Sequence, residues 1–491
     1  MSKPRVLIGG AGFGGLSAAA LLGQAGWDVT VLEKNEQPGG RASVFREAGF
    51  TFDMGPSWYL MPDVFERYFA EFGKKPTDFF ELTRLDPAYR IFFDQRHVVD
   101  VPATVADTLR LFEHYEPGAS DALKKYLAQA QYQYDVSMRE FIYRDYQSIT
   151  DFFNKKLLLE GAQLRVFENL DRFVKRFFKN PFLQKIVLYN IVFLGGRPKN
   201  TPALYSIMAH IDFNLGVWYP HGGLGSVVQG LVKLCESHGV KFRYQIPVEK
   251  ILVEGGKAVG VRTQAGELRS DAVLMNADYH HVETKLLDRE FQSYPESYWK
   301  RKTIAPSGFI IFLGLDKRIE KLRHHNLFLD EDWTRHFDAI FDDPGWPEDP
   351  SYYICCPTQT DASLAPEGGE VLFLLVPVAS GLDDNDATRQ SFAAKIIKHV
   401  EGLLGQDIQE SIIVKKIFAQ RDFSQMYNAY RGSALGLSHT LLQSALFRPS
   451  HRSKKVENLF FTGQYTHPGI GVPMALISSQ IVCKDMVASL G

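Results

Sequence analysis

Gly10, Gly12 and Gly15 stand in G-x-G-x-x-G spacing between a short apolar run, "RVLIGG", and an apolar helical stretch, "LSAAALLGQAG". Gly10 permits a tight turn, Gly12 lets the main chain approach a pyrophosphate, and Gly15 lets the helix pack closely on the strand. The helix N-terminus offers free N–H groups and a positive dipole end to phosphate. A second apolar run, "WDVTVLE", ends on Glu33, 23 residues after Gly10. A carboxylate there accepts hydrogen bonds from ribose hydroxyls and repels a 2′-phosphate. Strand, turn, helix, strand and acid in register predict a bound dinucleotide.

Other groups able to do chemistry are sparse. Asp151, in "QSITDFF", could carry a proton or cap a helix from its first turn. His467, in "THPGIGVP", could exchange a proton or only fix a turn. Asp53 could bond near a cofactor, with a structural role the expectation. The cysteines, Cys235, Cys355, Cys356 and Cys483, fall in no ligand-spaced pattern, so neither a metal site nor a disulfide framework is expected. Reduced surroundings are the simplest reading.

The elements that must position these groups belong to a chain of 491 residues, 45% hydrophobic, enough for two or three packed regions. A net charge of −2 supplies no basic field for nucleic acid. There is no apolar run long enough to span a bilayer, and "MSKPR" leads straight into the first strand, leaving no room for a signal peptide. "GFIIFLGLD" and "EVLFLLVPVA" predict buried strands, and 244–278 predicts strand, hairpin and strand with turns at Gly255-Gly256 and Ala265-Gly266. "NLFFTG", the turn "HPGIGVP" and the apolar "MALISSQIVCKDMV" form a second strand–turn–helix unit. Residues 150–195 interleave phenylalanine and leucine with Lys155, Lys156, Arg172, Lys175, Arg176, Lys179 and Lys185 at helical spacing. The stretch fits a helix pair lying in a membrane interface, or an amphipathic helix packed on the protein with a solvated basic face.

Gly39-Gly40-Arg41, in "PGGRA", resembles the extension of FAD enzymes of the amine oxidase and phytoene desaturase type, where it closes over the pyrophosphate. "NLFFTGQYTHPGIGVPMALISSQIV" resembles the C-terminal signature of bacterial-type phytoene desaturases, the carotenoid desaturase family. "GFTFDMGPS", "VWYPHGGLGSVVQGLVKL", "SLAPEGGEV" and "NAYRGSALGL" extend the resemblance through most of the chain. Gln464 and Tyr465 depart from the small residues common in the family, which leaves the exact product open.

The resemblance implies an α/β fold with a discontinuous Rossmann-like FAD-binding domain (1–75, 218–285, 455–491). A mixed-sheet substrate domain (76–130, 286–454) and a helical membrane-associating region (131–217) complete it. It implies a non-covalent FAD held by Gly10, Gly12, Gly14, Gly15, Glu33, Lys34, Gly40 and Arg41. The turn Gly55-Pro56-Ser57 lies near the flavin ring, Val248 contacts adenine through its backbone, and Asn276 lies by the first glycine turn. Gly463 and Gln464 follow the ribityl-phosphate, while Gly471, Val472, Pro473 and Met474 approach the pyrimidine edge. Asp151 matches an acidic position and is the catalytic candidate. The implied reaction removes a hydride to flavin and a proton from adjacent carbons of a long polyene. Phytoene is the expected substrate, with dehydrosqualene or a hydroxylated carotene undergoing 3,4-desaturation as alternatives. "THPGIGVP" disfavours an amine oxidase, and the intact glycines disfavour a flavin-free lipid carrier. Expected partners are the polyene, the cytoplasmic face of a membrane, to which the protein binds peripherally, and an electron acceptor such as oxygen or a quinone. Nucleic acid is not among them.

Overall fold

A computed structural model describes residues 3–144, 164–329 and 334–491. Its centre is a five-stranded parallel sheet in the order Leu459–Phe461, Ala272–Met275, Arg5–Gly9, Asp28–Leu32, Lys241–Arg243. Strands from three distant stretches of chain thus lie side by side. Both faces of this sheet are covered at its centre, which is why Arg5–Gly9, Ala272–Met275 and Leu459–Phe461 carry continuous apolar runs rather than alternating ones. Helix Phe13–Gln24 is apolar on nearly all sides because it is enclosed: nine of its twelve residues are buried. Helices Leu224–Ser237 and Val472–Leu490 pack against it. Ala18, Ala19 and Ala20 keep it slim enough for that approach, and the thiols of Cys235 and Cys483 donate to the carbonyls of Leu16 (3.2 Å) and Ala18 (3.6 Å). All four cysteines are buried free thiols.

The second sheet has seven strands, in the order Ile412–Phe418, Ser307–Leu315, Glu370–Val378, Tyr352–Cys355, His325–Phe328, Tyr89–Phe92, Val98–Val101. Its pairings are antiparallel except that of His325–Phe328 with Tyr89–Phe92. The two strands expected from "GFIIFLGLD" and "EVLFLLVPVA" pair with each other along their whole length. Side chains alternate along Ser307–Leu315: Phe309, Ile311 and Leu313 meet the helix Asp386–Leu404, while Ile310 and Phe312 face the larger core. Against the central sheet, Val248–Glu254, Lys257–Thr263 and Gly266–Arg269 form an antiparallel unit with both predicted turns.

The 150–195 stretch differs from a membrane-lying helix pair where it is described. Its helices are short, Leu170–Val174 and Pro181–Leu188, and Phe173, Phe178, Leu183 and Ile186 are buried in the main core. Lys175 pairs with Asp171 at 2.7 Å and Arg176 pairs with Glu168. Helical apolar periodicity requires only that one face be buried, and here the protein's own core buries it. The stretch does expose Phe167 (92% exposed), ahead of these helices, and Leu442 (68%) and Phe447 (44%) are exposed elsewhere in the chain. Lys155, Lys156 and Asp151 lie outside the described residues. No helix among the described residues is long and apolar enough to cross a membrane.

Candidate active site

The carboxyl ends of the central strands open on one cavity of about 1140 Å³. Every expected site residue lines it except Gly15, which lies behind the glycine turn, and the undescribed Asp151. The first turn is built by contact. Gly10 has φ +103°, and a Cβ at Gly15 would lie 2.0 Å from the Gly10 carbonyl oxygen. Gly12, Phe13 and Gly14 bring the helix N-terminus to the cavity wall, where its unbonded amides suit phosphate. Asn276 is wedged beside this turn. Its N–H donates to the Gly9 carbonyl (2.8 Å), and Cβ atoms at Gly14 or Gly463 would come within 2.6 and 2.8 Å of its side-chain oxygen.

Glu33 is buried, and its carboxylate oxygens accept the N–H groups of Ala11 (2.7 Å) and Asn35 (2.8 Å). It therefore braces the glycine turn, and its remaining lone pairs can accept from ribose hydroxyls. Lys34 lines the same cavity. Its ammonium donates to the Gln425 carbonyl and to Asn428 Oδ1 (3.2 Å), tying the second strand to the helix Gln420–Tyr427; burial lowers its pKa.

Gly40 enters a left-handed turn at φ +56° that presents Arg41. The Arg41 guanidinium reaches the Ser433 carbonyl at 3.4 Å and lies 5.2 Å from the Tyr427 ring centre, while its Nε is buried without a partner. Gln464 Nε2 is another unpartnered buried donor on the same wall. Unsatisfied buried donors beside a helix N-terminus are the complement of a pyrophosphate and a heteroaromatic ring bearing acceptors, so the residues present fit FAD. Gly471, Val472, Pro473 and Met474 bring a second helix N-terminus to the cavity. Val248 lines the cavity at the start of its strand.

Asp53 takes the structural role. Its oxygens accept the N–H groups of Leu224 (2.7 Å) and Gly225 (3.1 Å), capping the helix Leu224–Ser237, and burial raises its pKa to about 7. Ser57 lies further in, 2.9 Å from the Tyr353 hydroxyl, which is 2.6 Å from His325 Nδ1; the Trp58 ring stacks on His325 with centres 4.0 Å apart. His467 Nε2 donates to the carbonyls of Phe141 (3.2 Å) and Ile142 (3.0 Å), and burial lowers its pKa to about 3. A neutral ring latched to two carbonyls holds the final turn in place and is no acid at neutral pH.

Two features escaped the sequence. Arg448 is buried behind the Gln464–Thr466 turn, its guanidinium donating to the carbonyls of Gln464, Tyr465, Thr466 and Gln443; burial lowers its pKa to about 10. Asp212 is buried between Tyr89 and Tyr189, whose hydroxyls donate to its Oδ2 at 2.8 and 3.1 Å. The only signal in the sequence was a lone acid in an apolar run, "AHIDFNLG".

The model of flavin-containing amine oxidoreductases matches residues 13–487, and the chain belongs to that family. It is 46% identical to a carotenoid 3,4-desaturase of Haloarcula japonica over 491 residues, 100% of this chain and 99% of the relative. It is 37% identical to a zeta-carotene-forming phytoene desaturase of Myxococcus xanthus, covering 98% and 94% of the two chains. The fold is shared with an oxidoreductase from Methanosarcina mazei, at a TM-score of 0.62 and 16% identity over 98% of this chain and 100% of that one. The protein is an FAD-dependent carotenoid desaturase, an oxidoreductase acting on CH–CH bonds of a polyene hydrocarbon.

Proposed function

We propose that the protein introduces a 3,4 double bond near one end of an acyclic carotenoid drawn from a membrane. The observation that carries this choice is the 46% identity, along the whole chain, to the 3,4-desaturase, against 37% to the phytoene desaturase. The expected phytoene desaturation is the second reading, supported by that 37% relative. Membrane uptake is supported by Phe167 and Phe447, which are exposed and also line the cavity. Apolar side chains at a cavity mouth join its interior to a bilayer without exposing a hydrocarbon to water. Attachment is peripheral, on the cytoplasmic face, and oxygen or a quinone reoxidises the flavin.

When bound, FAD supplies the two-electron acceptor for the hydride. The chain does the rest. Gly10–Gly14, Arg41 and the two helix N-termini fix the cofactor, while Ile310, Leu327, Phe373 and Leu375 provide an apolar wall that aligns the polyene and excludes water. The test is to express the chain in hosts accumulating either phytoene or a longer conjugated acyclic carotene and identify the pigments formed. New end-group desaturation only in the second host supports the proposal; desaturation only of phytoene supports the second reading.

A further inference from the structure

Removing a hydride from carbon leaves a neighbouring C–H to be lost as a proton, and an apolar cavity must still hold an acceptor for it. Two polar groupings stand behind its wall, both against Trp58. One is Ser57–Tyr353–His325, and the other is Tyr189–Asp212–Tyr89. They differ in what protonation does to charge. Protonating His325 creates a cation in a fully buried place, whereas protonating an Asp212 carboxylate removes an anion from one. Low polarity opposes the first and favours the second.

Asp212 is also connected and incompletely satisfied. Tyr189 lines the cavity and donates to Asp212 Oδ2 at 3.1 Å; Tyr89 donates to the same oxygen at 2.8 Å. Asp212 Oδ1 is buried and has no hydrogen-bond partner. We propose that Asp212 is the proton acceptor of the desaturation, reached through the Tyr189 hydroxyl. The proposal rests on carotenoid desaturation taking place in this cavity.

In the step, the substrate C–H bond breaks and its electron pair becomes the new C=C bond. The proton goes to the Tyr189 oxygen as the tyrosine's own proton passes to Asp212 Oδ2. The hydride leaves the adjacent carbon with its electron pair for oxidised flavin. The substrate has then lost H⁻ and H⁺, Tyr189 is unchanged, and Asp212 is a neutral acid that releases its proton to water after the product departs. Tyr89 holds the carboxylate in place. The titratable groups bearing on Asp212 are these two tyrosines, and burial raises its pKa to about 7, so a carboxylate is available at neutral pH.

The test uses the FAD-loaded protein in an Asp53→Asn, Glu283→Gln background, because burial also raises the pKa of these two carboxyls to about 7. Infrared titration should show the carbonyl band of a buried carboxylic acid growing as pH falls through about 7. The band should vanish in Asp212→Asn, which keeps an oxygen for the two tyrosines but takes no proton. In single-turnover experiments Asp212→Asn should slow flavin bleaching by the polyene ~10²–10⁴-fold with FAD content unchanged. Tyr189→Phe should slow it too and abolish the solvent isotope effect, which loss of packing alone would not do. A band that persists in Asp212→Asn, or bleaching at the parent rate, overturns the proposal. If the parent itself is not bleached by the polyene supplied, the substrate reading has failed, and the infrared titration still decides whether Asp212 exchanges its proton.

Discussion

Replacing Arg41 by methionine should weaken FAD binding while leaving the cofactor-free protein as stable as its parent. The guanidinium has a long bond to the Ser433 carbonyl, an aromatic neighbour in Tyr427 and a buried Nε without a partner. Without FAD, methionine forfeits the cation–π contact, worth about 0.5–1 kcal/mol. It also removes an unsatisfied buried donor, which costs about 1–3 kcal/mol to keep. These offset, so the apoprotein's Tm should stay level or rise slightly. With FAD, one charge-assisted hydrogen bond to the pyrophosphate is lost, worth about 1.5–3 kcal/mol, which is roughly a 10- to 150-fold increase in Kd. Flavin fluorescence on titrating apoprotein with FAD measures the affinity, and melting curves with and without FAD measure the two stabilities. Equal FAD affinity in Arg41→Met and parent would refute the assignment of Arg41 to the cofactor.

Asp53→Asn should flatten the pH dependence of stability. Because the folded pKa is raised from 3.8 to about 7, this carboxyl contributes stability that is full below the unfolded value and lost as pH rises through the folded one. The difference amounts to about 4 kcal/mol across that window, read by denaturant melts on either side of it. Phe167→Glu with Phe447→Glu should release the protein from liposomes with FAD retained, because both side chains are exposed at the cavity mouth. Charge reversal at Lys175 should change binding much less, since its ammonium is paired with Asp171. Co-sedimentation that is stronger for the phenylalanine variant than for the lysine variant would overturn the membrane reading.

The cofactor half of the site was legible because its information is local. Three glycines and an acid within one strand–helix–strand unit specify the turn, and the contact between Gly10 and Gly15 is the packing their spacing implied. The final strand–turn–helix was legible for the same reason. What was hidden depends on residues far apart in the chain. Nothing in "FRPSH" announces that Arg448 will be enclosed by carbonyls, and nothing near Asp212 shows that Tyr89, more than a hundred residues earlier, will donate to it. Lys34 lines the cavity, but nothing beside it in the sequence shows that its ammonium will bond to Gln425 and Asn428, at the end of a distant helix. The phenylalanines of 170–188 were ambiguous for another reason: periodicity reports that a face is covered and is silent on whether lipid or protein covers it.

Asn276 also sets an order in time. It touches the glycine turn at the start of the chain and Gly463 near its end, and its strand pairs with both Arg5–Gly9 and Leu459–Phe461. Synthesis proceeds from the N-terminus, so the apolar helix Phe13–Gln24 emerges long before Val472–Leu490 can cover it. The dinucleotide turn therefore waits through almost the whole of translation for its last wall. Until Val472–Leu490 is in place, the cavity lacks its second helix N-terminus and the helix Phe13–Gln24 lacks one of its two covers.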